Sequence, residues 1–170
     1  AMEDVIRHSA SLHLSHIATG GDPFEQTSSR PLDFGHWAGH KLEQMTRYQL
    51  RHGEAVAIGI ALDSTYSYLS GSLGKEPWRR IIDLLRSLNL AVWAPELEEA
   101  LNEPGHNRSI LDGLAEFREH LGGRLTVMLL RAIGDAFDVH EIDTGVMIRS
   151  IETLRHERLE AVSAHAHRAR

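Results

Sequence analysis

A chain of 170 residues that is 42% hydrophobic can bury one sizeable core and is too short for two ordinary domains. Its formal charge of −6, with both signs mixed along the chain, argues against a nucleic-acid footprint, which needs clustered Lys and Arg. The absence of cysteine excludes disulfides and thiolate metal sites, so any metal must be held by nitrogen and oxygen, and a cytoplasmic location is expected.

In chain order, Glu3 to Ile17 places Val5, Ile6, Ser9, Leu12, His13 and His16 at helical spacing and predicts an amphipathic helix ending at Gly20-Gly21. Residues 20–31 hold two glycines, two prolines and a Thr-Ser-Ser run, the composition of a loop. Asp33 stands where an N-cap would, ahead of Phe34, Trp37, Ala38, Lys41, Leu42 and Met45 on a helical period. After a short connection from Arg47 to Arg51, Glu54 to Leu69 reads as a helix apolar almost all round, which belongs in the centre of a bundle. Pro77 suits the first turn of a helix running to about Leu88, with Trp78, Ile81, Ile82, Leu84 and Leu85 as its buried side. Pro95 opens a short helix, and Asn107 or Ser109 caps another that ends near Gly122. The period then changes: Arg124 to Leu130 and Phe137 to Ile142 predict two strands around Gly134-Asp135.

Asp143 caps a last helix from Thr144 to about Glu160, and residues 161–170, which include His165 and His167, are expected to form a disordered tail. The expected fold is mainly α, a helical bundle with one small β-hairpin near the C-terminus, as a single domain over residues 1–160. The longest apolar run, Ala55 to Leu62, is about half of a membrane span, and the first residues lack the regions of a signal peptide, so no membrane partner is expected.

His36 and His40 are four apart and share one helix face, a spacing that can offer two nitrogens to one ion. Among 12 histidines such a coincidence is also common without any ion. His52 lies between Arg51 and Gly53-Glu54, just before the apolar helix, where a charged imidazole is costly unless paired or metal-bound. Glu54 either orients His52 or starts its helix favourably against the dipole. Trp37 reads as a core residue or a stacking surface, Arg30 and Arg118 as phosphate holders or surface ion-pair formers, and Tyr66 and Tyr68 as packing residues.

"FGHWAGHKLE" followed by "RHGEAVAIGI" resembles the signature of the sugar phosphate cyclases, the family of 3-dehydroquinate synthase. "LGGRLTVMLLRAIGDAF" resembles the hairpin that closes these enzymes, and the likeness runs from about Ile6 to Leu154, the family's C-terminal domain only. The stretch "DPFEQTSSRPLDFGHW" is most similar to the cyclase-like branch of the eustigmatophyte-bacterial operon. The resemblance implies a fold like the dehydroquinate synthase C-terminal domain, and a lyase that uses NAD and a divalent metal, Zn or Co. In the family reaction NAD transiently oxidises a sugar-phosphate hydroxyl, phosphate is eliminated, the ketone is reduced back, and an aldol step closes the ring. By the same resemblance His36 and His52 are metal ligands together with an upstream glutamate, and His40 is the catalytic residue beside the substrate. Arg30, Asp33 and Arg118 are then substrate-binding.

The chain also departs from the family. The glutamate ligand would lie upstream of the region matching Glu3 to Ile17, and Gly20-Gly21 and Gly122-Gly123 lack the G-x-G-x-x-G spacing of a pyrophosphate site. NAD is therefore expected only in a full-length enzyme, with a missing N-terminal nucleotide-binding domain as partner, and the chain alone is expected to be inactive. An apolar face left by that domain predicts self-association, as a homodimer. Asp33 stands where dehydroquinate synthases have asparagine, Trp37 where a small hydroxyl residue is usual, and "FREH" leaves only Arg118 where the family has Asp-Lys-Lys. Fewer cations weaken binding of a substrate bearing both carboxylate and phosphate, so dehydroquinate is not the expected product. The leading expectation is the metal- and substrate-binding domain of a cyclase acting on a sugar phosphate. The alternative is a non-catalytic binding or scaffold domain that keeps the fold, and a histidine-rich metal buffer is weaker, because nine histidines lie outside the cluster.

Overall fold

Small residues recur along one face of two neighbouring helices, and they set the centre of the molecule. The structure, a computed structural model, describes residues 2–19, 33–103, 105–120 and 122–168. Helix α1 spans Met2–Thr19, α2 His36–Met45 and α3 His52–Leu69. Helices α2 and α3 pack antiparallel: Gly35 lies on Gly59 and Ile60, Gly39 on Val56, and Glu43 on His52. A Cβ on Gly59 would fall 1.9 Å from the Gly35 carbonyl oxygen, so the two backbones touch only because both positions lack side chains.

Helix α3 is buried on all sides, as its apolar composition requires, from Ala61 through Ser67 without interruption. Four of its polar side chains each hold a different neighbour, while Ser64 Oγ is buried with no hydrogen-bond partner. Asp63 accepts the Gly35 N–H at the start of α2, and Thr65 accepts the Trp78 indole N–H from α4 (Lys75–Ser87). Tyr66 Oη accepts the Asp143 N–H at the entry to α6 (Thr144–Arg168), and Ser67 Oγ accepts the Leu130 N–H of strand β1 (Val127–Ala132). Around this axis Trp78 and Ile82 of α4, Val127 and Leu129 of β1, and Met147, Ile151 and Leu154 of α6 complete the core. A side chain of this size contributes about 1.5–3 kcal/mol when fully buried. Helix α5 (Asp112–His120) lies against α2, and strand β2 (Asp135–Val139) pairs antiparallel with β1 from Val127↔Val139 to Ala132↔Asp135. Glu157 of α6, nearly buried, takes both guanidinium nitrogens of Arg79 at 2.6 and 2.7 Å and ties α6 to α4. Burial raises the Glu157 pKa, but Arg79 and Arg86 outweigh it and hold the carboxyl below its ordinary value.

The mainly α bundle with one C-terminal hairpin is as expected from the sequence, and Asp143 caps α6 as read, its Oδ1 accepting the Val146 N–H. Several boundaries differ. The N-cap of α2 is Gly35 at φ 80°, not Asp33, because buried Asp63 already accepts the Gly35 N–H from 28 residues away. Helix α5 begins at Asp112 rather than after Asn107 or Ser109, which lie in turns where Ser109 Oγ accepts the Leu111 N–H. Leu84 is 58% exposed instead of buried, since Trp78, Ile82 and Leu85 face the core, with Ile81 packed at its edge. Helix α6 continues to Arg168, past the end expected near Glu160. The loop predicted over 20–31, with Arg30, lies outside the described residues. No described helix is long and apolar enough to cross a membrane.

Candidate metal and substrate site

The site stands on the α2–α3 contact. Asp63 is fully buried and receives two hydrogen bonds of 2.9 Å, from the Gly35 N–H and the Trp37 indole N–H. Burial pushes its carboxyl up to about 7, against the pull of those two donors. Trp37 is thereby a core residue, 2% exposed, and it fixes the first turn of α2 from which His36 and His40 project.

The helix register then brings the third histidine to the other two. The rings of His36, His40 and His52 form a near-equilateral triangle, with centroids 5.7, 5.4 and 5.7 Å apart. His52 Nδ1 lies 3.0 Å from Glu43 Oε2, which fixes that ring and leaves Nε2 as its available nitrogen. Nitrogen and oxygen donors of His40, Glu43 and His52 all fall within 4.8 Å of one another. His36 stands beside this trio; its Nδ1 is buried with no hydrogen-bond partner. Burial lowers the His36 pKa and neighbouring His40 and His52 lower it further, while the Phe34 backbone and Asp33 act the other way. A neutral imidazole is the form that ligates a metal. Three imidazoles and one carboxylate suit zinc or cobalt, so the residues present fit the ion implied by the sequence resemblance.

Beside the triangle, between α2 and α5, lies a cavity of about 180 Å³ lined by Trp37, His40, Lys41, Gln44, Glu116 and Phe117, with Gly113 at its edge. Lys41 is 2% exposed, and its ammonium donates to Asp112 at 3.0 Å and Glu116 at 2.7 Å. Burial lowers the Lys41 pKa, but the two carboxylates prevail and raise it. Of the expected substrate residues, Asp33 is half-buried next to the start of α2, Arg118 is exposed on α5 outside the cavity lining, and Arg30 lies outside the described residues.

Three residues carry weight here that the sequence reading passed over. Glu43, not Glu54, is the carboxylate on His52; Glu54 instead accepts the Arg51 N–H and caps α3. The signal for Glu43 was its place three residues after His40, on the same helix face. Asp63 was a lone acid inside an apolar helix, and Lys41 a lone cation on an apolar stripe.

Comparison with known proteins places the fold in a family. The chain is 36% identical over 126 residues to the 2-epi-valiolone synthase of Stigmatella aurantiaca, covering 73% of this chain and 29% of that protein. It is 33% identical over 153 residues to a 3-dehydroquinate synthase of Acidithiobacillus ferrooxidans, covering 89% of this chain and 39% of the relative. Among solved structures it matches ValA, the 2-epi-5-epi-valiolone synthase of Streptomyces hygroscopicus subsp. jinggangensis 5008 with NAD+ and Zn2+ bound, at TM-score 0.76 and 27% identity. That match covers 91% of this chain and 40% of ValA, so the chain spans well under half of the enzymes it resembles. Residues 1–106 match the family described as 3-dehydroquinate synthase C-terminal, and the chain belongs to that family of sugar phosphate cyclase domains.

Proposed function

We propose that the chain is the metal- and substrate-binding domain of a cytoplasmic sugar phosphate cyclase, inactive by itself, with His36 and His52 as metal ligands and His40 at the substrate. The observation that carries this reading is the three-imidazole triangle with Glu43 hydrogen-bonded to His52. A bound zinc or cobalt ion would supply a Lewis acid for a substrate hydroxyl or ketone. His36, its pKa lowered by burial, and His52, oriented by Glu43, would hold it there. His40 is exposed at the cavity and exchanges a proton with a substrate hydroxyl. Asp33 and the two arginines, Arg30 and Arg118, bind the substrate. NAD belongs to a nucleotide-binding domain outside this chain, as the NAD+ and Zn2+ in ValA support. The exposed apolar residues of α1, among them Val5 and Leu12, form the face on which that domain or a second copy packs.

Calorimetric titration of the chain with zinc or cobalt tests the metal site. Binding of micromolar order or weaker is expected, lost in the His36→Ala, His52→Ala double variant and about tenfold weaker in Glu43→Gln. Equal binding by the double variant would place the ligands elsewhere and overturn the reading.

A further inference from the structure

A second cavity, of about 300 Å³, is lined by the connection between α2 and α3, by the short turn Pro95–Glu98 and by α6, a volume within the range of small-molecule sites. It shares no lining residue with the cavity beside His40. Leu50, Ile58, Ala94, Pro95 and the Trp93 ring give it largely apolar walls. Of its polar residues, Thr46 is already used, since its Oγ donates to the Leu42 carbonyl at 2.8 Å and accepts the Leu50 N–H.

Three other groups on this wall are unanswered. Trp93 is 8% exposed and its Nε1–H is buried with no acceptor, a costly state for a hydrogen-bond donor. The Arg158 guanidinium lies over that same ring, 4.9 Å from its centroid, and has no carboxylate partner among the described residues. Glu96, half-buried on the turn, likewise has no cation. The same two elements do meet close by, where Arg155 reaches Glu98 at 2.9 Å. Arg158 and Glu96 stay beyond ion-pair distance of each other, with the pocket lined by both.

We propose that this pocket binds a small apolar amino acid as its zwitterion. The carboxylate pairs with Arg158 and gives the Trp93 N–H its acceptor, the ammonium pairs with Glu96, and the side chain lies against Leu50 and Ile58. A ligand with one charge leaves either Arg158 or Glu96 unanswered, and an uncharged apolar one leaves both. The site stands apart from the cyclase reading and does not need it.

Nuclear magnetic resonance titration of the whole chain with L-leucine tests it on the indole N–H signals. Leucine is expected to shift that of Trp93 and leave those of Trp37 and Trp78, which are bonded internally to Asp63 and Thr65. Three probes each lack one part of leucine: 4-methylpentanoate the ammonium, 3-methylbutylamine the carboxylate, and glycine the apolar side chain. Each should bind at least about tenfold more weakly. Arg158→Gln should bring leucine down to the level of the amine without weakening the amine, and Glu96→Gln should bring it down to the level of the acid without weakening the acid. Both side chains lie outside the core, so the fold is kept, as unchanged Trp37 and Trp78 signals would show. No Trp93 shift with leucine, equal binding of any of the three probes, or leucine binding untouched by both variants would overturn the proposal.

Discussion

Helices α1 and α2 carry the same apolar period, yet only one of them is packed. In α2, Trp37, Ala38 and Leu42 are at most 2% exposed, whereas Val5, Ile6 and Leu12 of α1 are 61–63% exposed. Periodicity names the face that needs cover; it does not say whether the cover is in the same chain. The difference lies in the small residues. Gly35 and Gly39 let α2 settle on α3 at backbone distance, while α1 has no glycine and no such neighbour among the described residues. Most helical stability in proteins comes from packing of an apolar face, and the α1 residues Val5, Ile6 and Leu12 lack such cover among the described residues.

The contrast can be broken at its strongest point first. Gly59→Ala puts a methyl where the Gly35 carbonyl oxygen sits, and should cost about 3 kcal/mol or more in urea denaturation and abolish metal binding with it. A cost under about 1 kcal/mol would mean that the backbone contact is not what holds α2.

Next comes a pH effect. The Asp63 carboxyl titrates near 7 in the folded chain against 3.8 as its ordinary value, so between those values the folded state holds a proton that the unfolded state has released. This group therefore makes the fold less stable as pH rises from about 4 to about 7. Urea denaturation at about pH 5 and about pH 8 should show a loss of about 2 kcal/mol that Asp63→Asn flattens. An identical slope in the variant would remove Asp63 as its source. The smallest effect belongs to α1: Leu12→Ala should move stability by no more than about 0.5 kcal/mol while weakening self-association in sedimentation.

Much of the fold was legible because its signals are local. The apolar run of α3 and the Asp143 cap each lie within a few residues of what they specify, and the hairpin turn falls one residue earlier than read, at Ile133-Gly134, with Asp135 already in β2. The errors arose where a distant group did a local one's work. Asp63 supplies from α3 the acceptor that Asp33 was expected to provide at the start of α2. In the site, the resemblance and the spacing pointed to the three histidines, and the structure brings their rings together. The sequence could not show which carboxylate meets His52, because Glu43 and Glu54 are both near it in sequence and only the antiparallel register chooses between them. Nor could it show that Lys41 points inward, since its partners lie 71 and 75 residues away.

The burial of Lys41 also offers a clock. The chain has only two lysines, and the other, Lys75, is exposed at the start of α4. An amine-acylating reagent should modify Lys75 at the rate of a free side chain and reach Lys41 only when α5 lifts from α2. The ratio of the two rates then reports how often that seam opens in the otherwise folded protein.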